Sequence, residues 1–226
     1  MQILRFFIIV FVYTLLFSPA VKANEAKIRV DSHKFLKQHQ LETEKLLETL
    51  DLSDDSHSFQ IRDIKTGFPR SKIKELYPNS NGSTLINTPT ERFSATGNPI
   101  NSIYLELTTR AIGENCKEQI DQTGDKLIKK YGTPKDNSRN NKATNHEGYW
   151  SMTWVPKSQE KTPFYEQSKM DASMSCTHGS FRFTLNANDN HVTKQTKLVH
   201  AKREEIRDKG FKRIRLENTP KQDMNF

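Results

Sequence analysis

Two cysteines are the residues of this chain best placed to do chemistry. Cys116 sits in the stretch Glu114-Asn115-Cys116-Lys117-Glu118, and Cys176 follows 60 positions later. In an exported chain two cysteines pair most simply as one disulfide. A bridge closing a loop of that length removes unfolded-chain entropy worth about 4 kcal/mol.

The alternative chemistry is nucleophilic. Asn115 and Glu118 have the spacing of a capping box, so Cys116 opens a helix, and a helix N-terminus lowers a thiol pKa. His178 follows on a strand edge, the order found in papain-like and cell-wall peptidase folds. Asp171 or Asn186 is available to orient its imidazole. The residues flanking Cys116 match no hydrolase signature, and Cys176 accounts for Cys116 without catalysis. A Cys116–Cys176 disulfide is therefore the expectation, and an envelope cysteine hydrolase using Cys116 and His178 is the alternative.

Other constellations are weaker. His33 and His39 point to different helix faces and no histidines cluster at metal-ligand spacing, so no metal site is expected. Asn186, Asn188 and Asn190 imitate the alternation of a calcium loop, without its leading carboxylate, glycine or closing glutamate. Asp121 and Asp125 share a helix face that reads as solvated. Trp150 and Trp154 have the rings to stack on a sugar, but two large residues on one strand face are more often core. The chain carries no phosphate loop, no Gly-x-Ser-x-Gly and no His-Glu-x-x-His, and no cofactor is expected. Asn81-Gly82-Ser83 accepts a glycan only in a glycosylating secretory pathway.

Charge is concentrated near the C-terminus. The 226 residues carry a formal net charge of +8. Nine cations lie between Lys194 and Arg215, namely Lys194, Lys197, Lys202, Arg203, Arg207, Lys209, Lys212, Arg213 and Arg215, against Glu204, Glu205 and Asp208. Such a run attracts anionic surfaces, by about 1 kcal/mol per cation near a charged bilayer. Its plainer reading is a solvated helix. These nine are the candidate anion-binding residues. Nucleic acid is not an expected partner, since no binding module is recognisable.

The elements that must position these groups follow from periodicity. Glu25–Leu52 reads as a helix with a thin apolar stripe, Phe35, Leu36, Leu46, Leu47 and Leu50. Phe59, Ile61 and Ile64 form a short strand turned at Thr66-Gly67, and Ile73, Leu76 and Tyr77 lie on a short helix opened by Pro69. Residues 79–98 read as a long loop with room for a short strand near Leu85-Ile86. Ile103, Leu105 and Leu107 alternate with polar residues as a half-buried strand. Cys116, Ile120, Leu127 and Tyr131 share a helical face, ended by Gly132 and Pro134. Residues 135–148 read as a polar loop, and Tyr149–Val155 as a strand.

His178-Gly179 as a two-residue turn aligns Thr177 with Ser180, Cys176 with Phe181, Met174 with Phe183 and Ala172 with Leu185. Every apolar pair then falls on one face, which nearly specifies the register. The order strand, helix, strand, strand, strand predicts an α+β fold: an antiparallel sheet with a helix packed on one face, an N-terminal helical arm and a C-terminal basic helix.

Hydrophobic residues make up 34% of the chain, below the ~45–50% of ordinary domains. Much of that stock lies in residues 1–23, where Arg5, the apolar run Phe6–Phe17 and Val21-Lys22-Ala23 have the pattern of a cleaved signal peptide. No later run is long enough for a membrane span. The expected division is signal peptide 1–23, helical arm 24–57, α+β domain 58–190 and basic arm 191–226. The expected location is periplasmic or secreted.

The stretch Phe59-Gln-Ile-Arg-Asp-Ile-Lys-Thr-Gly67, followed by Ser71-Lys-Ile-Lys-Glu-Leu-Tyr-Pro78, resembles a strand–turn–helix unit of small exported bacterial proteins. These are the SmpA/OmlA-like outer-membrane assembly lipoproteins and the β-lactamase-inhibitor-like fold. Cys116, Lys130-Tyr-Gly-Thr-Pro134, Trp154 and Cys176 are similar to their second half. The chain departs from them in lacking a lipidated cysteine and in having Phe68-Pro69 after Gly67. The resemblance implies binding or inhibition rather than catalysis, and carries over no site residue. Three functions are thus expected in order: a non-enzymatic exported binding protein, inhibitor- or immunity-like, with a protein partner in the cell envelope; the cysteine hydrolase; and an envelope-surface protein holding anionic lipid or polysaccharide on its basic arm.

Overall fold

The structure, a computed structural model, describes residues 19–53, 58–111, 115–139 and 147–219. Most of the expected signal segment lies outside them. The chain divides into two compact units, a sheet unit from Leu46 to Leu198 and a helical unit formed by residues up to Lys45 and from Val199 onward. Among the described residues, four helices and a seven-stranded antiparallel sheet make the protein α+β, as the sequence predicts.

The sheet unit opens on a two-stranded hairpin, β1 (Gln60–Ile61) and β2 (Ile64–Lys65), and a short helix, α2 (Arg70–Leu76). The large sheet contains β3 (Thr84–Asn87), β4 (Glu91–Gly97), β5 (Ile100–Arg110), β6 (Asp136–Arg139), β7 (Glu147–Trp154), β8 (Lys169–Thr177) and β9 (Ser180–Asn188). Its strand order is β3-β4-β5-β9-β8-β7-β6. Helix α3 (Cys116–Tyr131) connects β5 to β6 and packs on β7, β8 and β9.

The expected β8–β9 register is the one present: Thr177 faces Ser180, Cys176 faces Phe181, Met174 faces Phe183 and Ala172 faces Leu185. His178 holds the turn at φ 49° and Gly179 at φ 76°. These left-handed values are what a two-residue hairpin turn requires, because they match the twist of the strands. Alternation then sorts the residues of the sheet. Phe93, Ala95, Ile103, Leu105, Trp150, Met152, Trp154, Met170, Met174, Phe183 and Leu185 are buried on one face, under α3, α2 and the β1–β2 hairpin.

Helix α3 begins as its sequence dictates. Asn115 accepts a hydrogen bond from the Glu118 amide at 3.1 Å, and Gly132 ends the helix at φ 83°. Its buried face is Cys116, Ile120, Gly124 and Leu127. Gly124 lies against the Trp150 ring, so closely that an added Cβ would overlap the indole. Two indole N–H groups are satisfied, Trp154 by the Gly132 carbonyl at 2.9 Å and Trp150 by Asn137. Both tryptophans are therefore core residues, 5% exposed.

Two expected loops contain strands. Residues 79–98 hold both β3 and β4, paired antiparallel with a bulge between Thr84 and Ile86. The polar stretch 135–148 holds β6, which pairs with β7 at the sheet edge. All four β6 side chains are exposed, so no apolar alternation marks it.

Helix α1 (Pro19–Thr49) already includes the six residues before the expected Glu25. In the helical unit α1 runs against α4 (Asn190–Asn218). Asn24 bonds the Asn218 carbonyl and His39 bonds the Arg203 carbonyl at 2.8 Å, so the two helices are antiparallel. Phe35 packs edge-on to Phe211 at 5.6 Å and lies against Gly210, where a side chain would collide with it.

Candidate functional site

Cys116 and Cys176 are joined by a disulfide, with Cα atoms 5.4 Å apart. Cys116 is fully buried. The bridge ties the first turn of α3 to the apolar face of β8, and a bonded sulfur offers no thiolate for attack. His178 is exposed in the β8–β9 turn. Asp171 lies seven residues down β8, about 20 Å away at strand rise, and accepts from Thr153 at 2.7 Å. Asn186 faces Asp171 across the strands. The sequence-expected hydrolase constellation is not assembled.

The second face of the large sheet is polar from edge to edge. Register places its side chains in rows. Ser94, Tyr104, Asn186, Asp171, Thr153 and Asp136 form one row across β4, β5, β9, β8, β7 and β6. Arg92, Glu106, Thr184, Ser173, Ser151 and Ser138 form the next. Serine and threonine fill half of these twelve positions, and strands β7, β8 and β9 alternate such polar residues outward with apolar residues inward. None of the described side chains in these rows is buried. Neighbours bond to one another, as Ser173 and Thr184 do at 2.7 Å.

Charge on this face is of both signs and partly paired. Arg182 meets Glu106 at 2.8 Å, and Tyr104 donates to the same carboxylate at 2.8 Å. The Tyr104 hydrogen bond, with Arg182 and Arg92 nearby, holds the Glu106 carboxyl below its ordinary range. Partial burial and the Glu106 carboxylate push the Tyr104 hydroxyl up. A cleft of about 440 Å³ opens over this group, with Thr88, Thr90 and Thr108 in its walls.

Exposed aromatic side chains border the polar face. Tyr149 stands on β7 at 44% exposure. Phe164 and Tyr165, in the single-turn helix Phe164–Glu166 between β7 and β8, are 61% and 78% exposed. Lys169, on the polar face of β8, covers the Phe164 ring at 4.6 Å. Phe164 and Tyr165 were not found by sequence reasoning. Their signal was Pro163 followed by two aromatics inside a polar loop.

The nine candidate anion-binding residues all lie on α4 but differ in what they touch. Lys194 pairs with Glu166 at 2.7 Å. Arg203 is largely covered and bonds Thr43, the His39 carbonyl and Glu42. Arg207, Lys209 and Arg213 pair with acids on α4 itself. Lys197, Lys202, Lys212 and Arg215 make no ion pair with a described residue.

Remaining sites are structural. Asp121 pairs with Arg139. Asn186 and Asn188 stand on β9, and Asn190 donates to the carbonyls of Tyr165 and Gln167, so these three asparagines form no loop around a cation. Asp189, between them, is 1% exposed. It accepts from Thr66 at 2.9 Å, Ser168 at 3.0 Å, and the amides of His191 and Val192 at 3.0 and 3.1 Å. It caps α4, and an aspartate directly before a helix was the legible signal. Asn81 is exposed in a turn bridged to Thr84. No protein-family model matches the chain, and no curated protein matches it. Among the described residues no helix is long and apolar enough to cross a membrane.

Proposed function

We propose that this chain is a non-enzymatic, exported binding protein that engages a protein partner in the cell envelope through the polar face of its sheet. The observation that carries the reading is the border of that face, where Phe164 and Tyr165 stand exposed beside Lys169 at the start of β8, and Tyr149 stands exposed further along, in the row of Ser175 and Arg182. Aromatic and arginine side chains are what protein interfaces use as anchors, because they bury large area at low entropic cost. A sheet face of short hydroxyl side chains is flat, loses little side-chain freedom on docking, and offers donors and acceptors throughout. The disulfide supports an oxidising compartment, periplasmic or extracellular.

The test uses the Phe164→Ser, Tyr165→Ser double variant. Both side chains are mostly exposed, so the fold should survive, as an unchanged melting temperature will verify. Cross-linking in intact cells identifies the partner of the wild-type protein. The double variant should then bind that purified partner at least tenfold more weakly, since interface aromatics are worth about 1.4 kcal/mol or more. Equal affinity of the two proteins removes the sheet face as the docking site.

A further inference from the structure

We propose that the helical unit carries a separate binding site for one anionic phospholipid of a bilayer, in the groove between α1 and α4. The proposal is independent of the sheet-face reading and rests on different residues. The groove is open, with a volume of about 710 Å³. Its apolar floor is formed by Ile28, Leu36 and Phe211, and its rim by Arg29, Lys212 and Arg215.

The rim cations come from both helices and make no ion pair with a described residue. Of the four α4 cations without an ion pair to a described residue, Lys212 and Arg215 line this groove, where Arg29 of α1 joins them; Lys197 and Lys202 lie elsewhere on the helix. One carboxylate, Asp208, lines the groove, and Arg207 binds it at 3.4 Å. Three cations facing one engaged acid call for an anionic headgroup. A phosphate fits because guanidinium groups bind its oxygens in a planar fork.

The floor decides between kinds of anion. A polysaccharide or a free phosphate gains nothing from Ile28 and Phe211, whereas an acyl chain does. Leu36 is 44% exposed in the groove, an apolar surface left open beside the cations. Basic helices that offer leucine and phenylalanine next to lysine and arginine seat at the boundary of headgroup and acyl chain. The volume lies within the ~300–1,000 Å³ of small-ligand sites, room for part of one lipid.

The experiment measures binding of the full exported chain to vesicles of phosphatidylcholine containing about one-third phosphatidylglycerol. Two triple variants remove equal charge: Arg29→Gln, Lys212→Gln, Arg215→Gln in the groove, and Lys197→Gln, Lys202→Gln, Lys209→Gln elsewhere on α4. The groove variant should lose one to two orders of magnitude in affinity, the other less than threefold. In a Leu36→Trp variant the new fluorescence should be quenched by phosphatidylglycerol brominated on its acyl chains. Circular dichroism melts establish that each variant is folded. Equal loss in the two triple variants, no binding by the wild type, displacement by millimolar inorganic phosphate, or vesicle binding without quenching would each overturn the proposal.

Discussion

Cys116 and Gly124 set how α3 lies on the sheet, one by a covalent bond and the other by the absence of a side chain. The native protein should show no titratable thiol even in denaturant. Reduction should lower its stability by roughly 2–5 kcal/mol in urea unfolding; an unchanged midpoint would mean the bridge restrains nothing. Gly124 tests the packing by sign. On helix propensity alone, Gly124→Ala stabilises by about 1 kcal/mol. Here the new methyl group has to displace the Trp150 ring, and such overpacking costs about 1–3 kcal/mol. Gly124→Ala should therefore melt lower than wild type, and a higher melting temperature would contradict the contact. Cysteine pairing was legible because two cysteines in a chain expected to be exported have one simple use. Gly124 was not, since a mid-helix glycine names no partner.

Element by element, legibility followed the apolar pattern. The β8–β9 hairpin could be aligned residue by residue, because Met174, Cys176, Phe181 and Phe183 alternate with polar residues and any slip exposes them. Strand β6, Asp-Asn-Ser-Arg, has no buried face and formed only because β7 offers an edge. Strand β4 buries Phe93 and Ala95 alone, too few to stand out beside Arg92, Ser94 and Thr96. The junction of β9 and α4 depends on Asp189, which accepts four hydrogen bonds while 1% exposed. Asp189→Ala removes the helix cap and strands the Thr66 and Ser168 hydroxyls, so chemical denaturation should register a loss of roughly 2–4 kcal/mol. Asp189→Asn keeps the cap oxygen and should cost less. If the two substitutions prove equal and mild, the capping network does not support this junction.

At the level of the whole molecule, the chain is two units of unequal self-sufficiency. The sheet unit encloses nearly all the buried apolar residues and the disulfide. In the helical unit Ile214, at 7% exposure, is the one buried apolar side chain among the described residues. Helix formation has a costly nucleus, and a pair of helices with so little burial has little to offset it. The basic segment was legible as a helix, but charge alone does not mark where along it the sheet unit ends. Val192 is fully buried and the sheet unit runs to Leu198, so the first turns of α4 are part of its core. A fragment of residues 46–198 should therefore fold with its disulfide intact and melt cooperatively. Shortening it to 46–190 removes Val192 and the amides that cap onto Asp189. Its loss should be about 2–3 kcal/mol, from one buried aliphatic side chain and a lost cap. Peptides of residues 24–45 and 199–219, mixed at micromolar concentration, should give the circular dichroism of largely unfolded chains. A strongly helical mixture, or a 46–190 fragment as stable as 46–198, would place the boundary elsewhere and make the helical unit a fold in its own right.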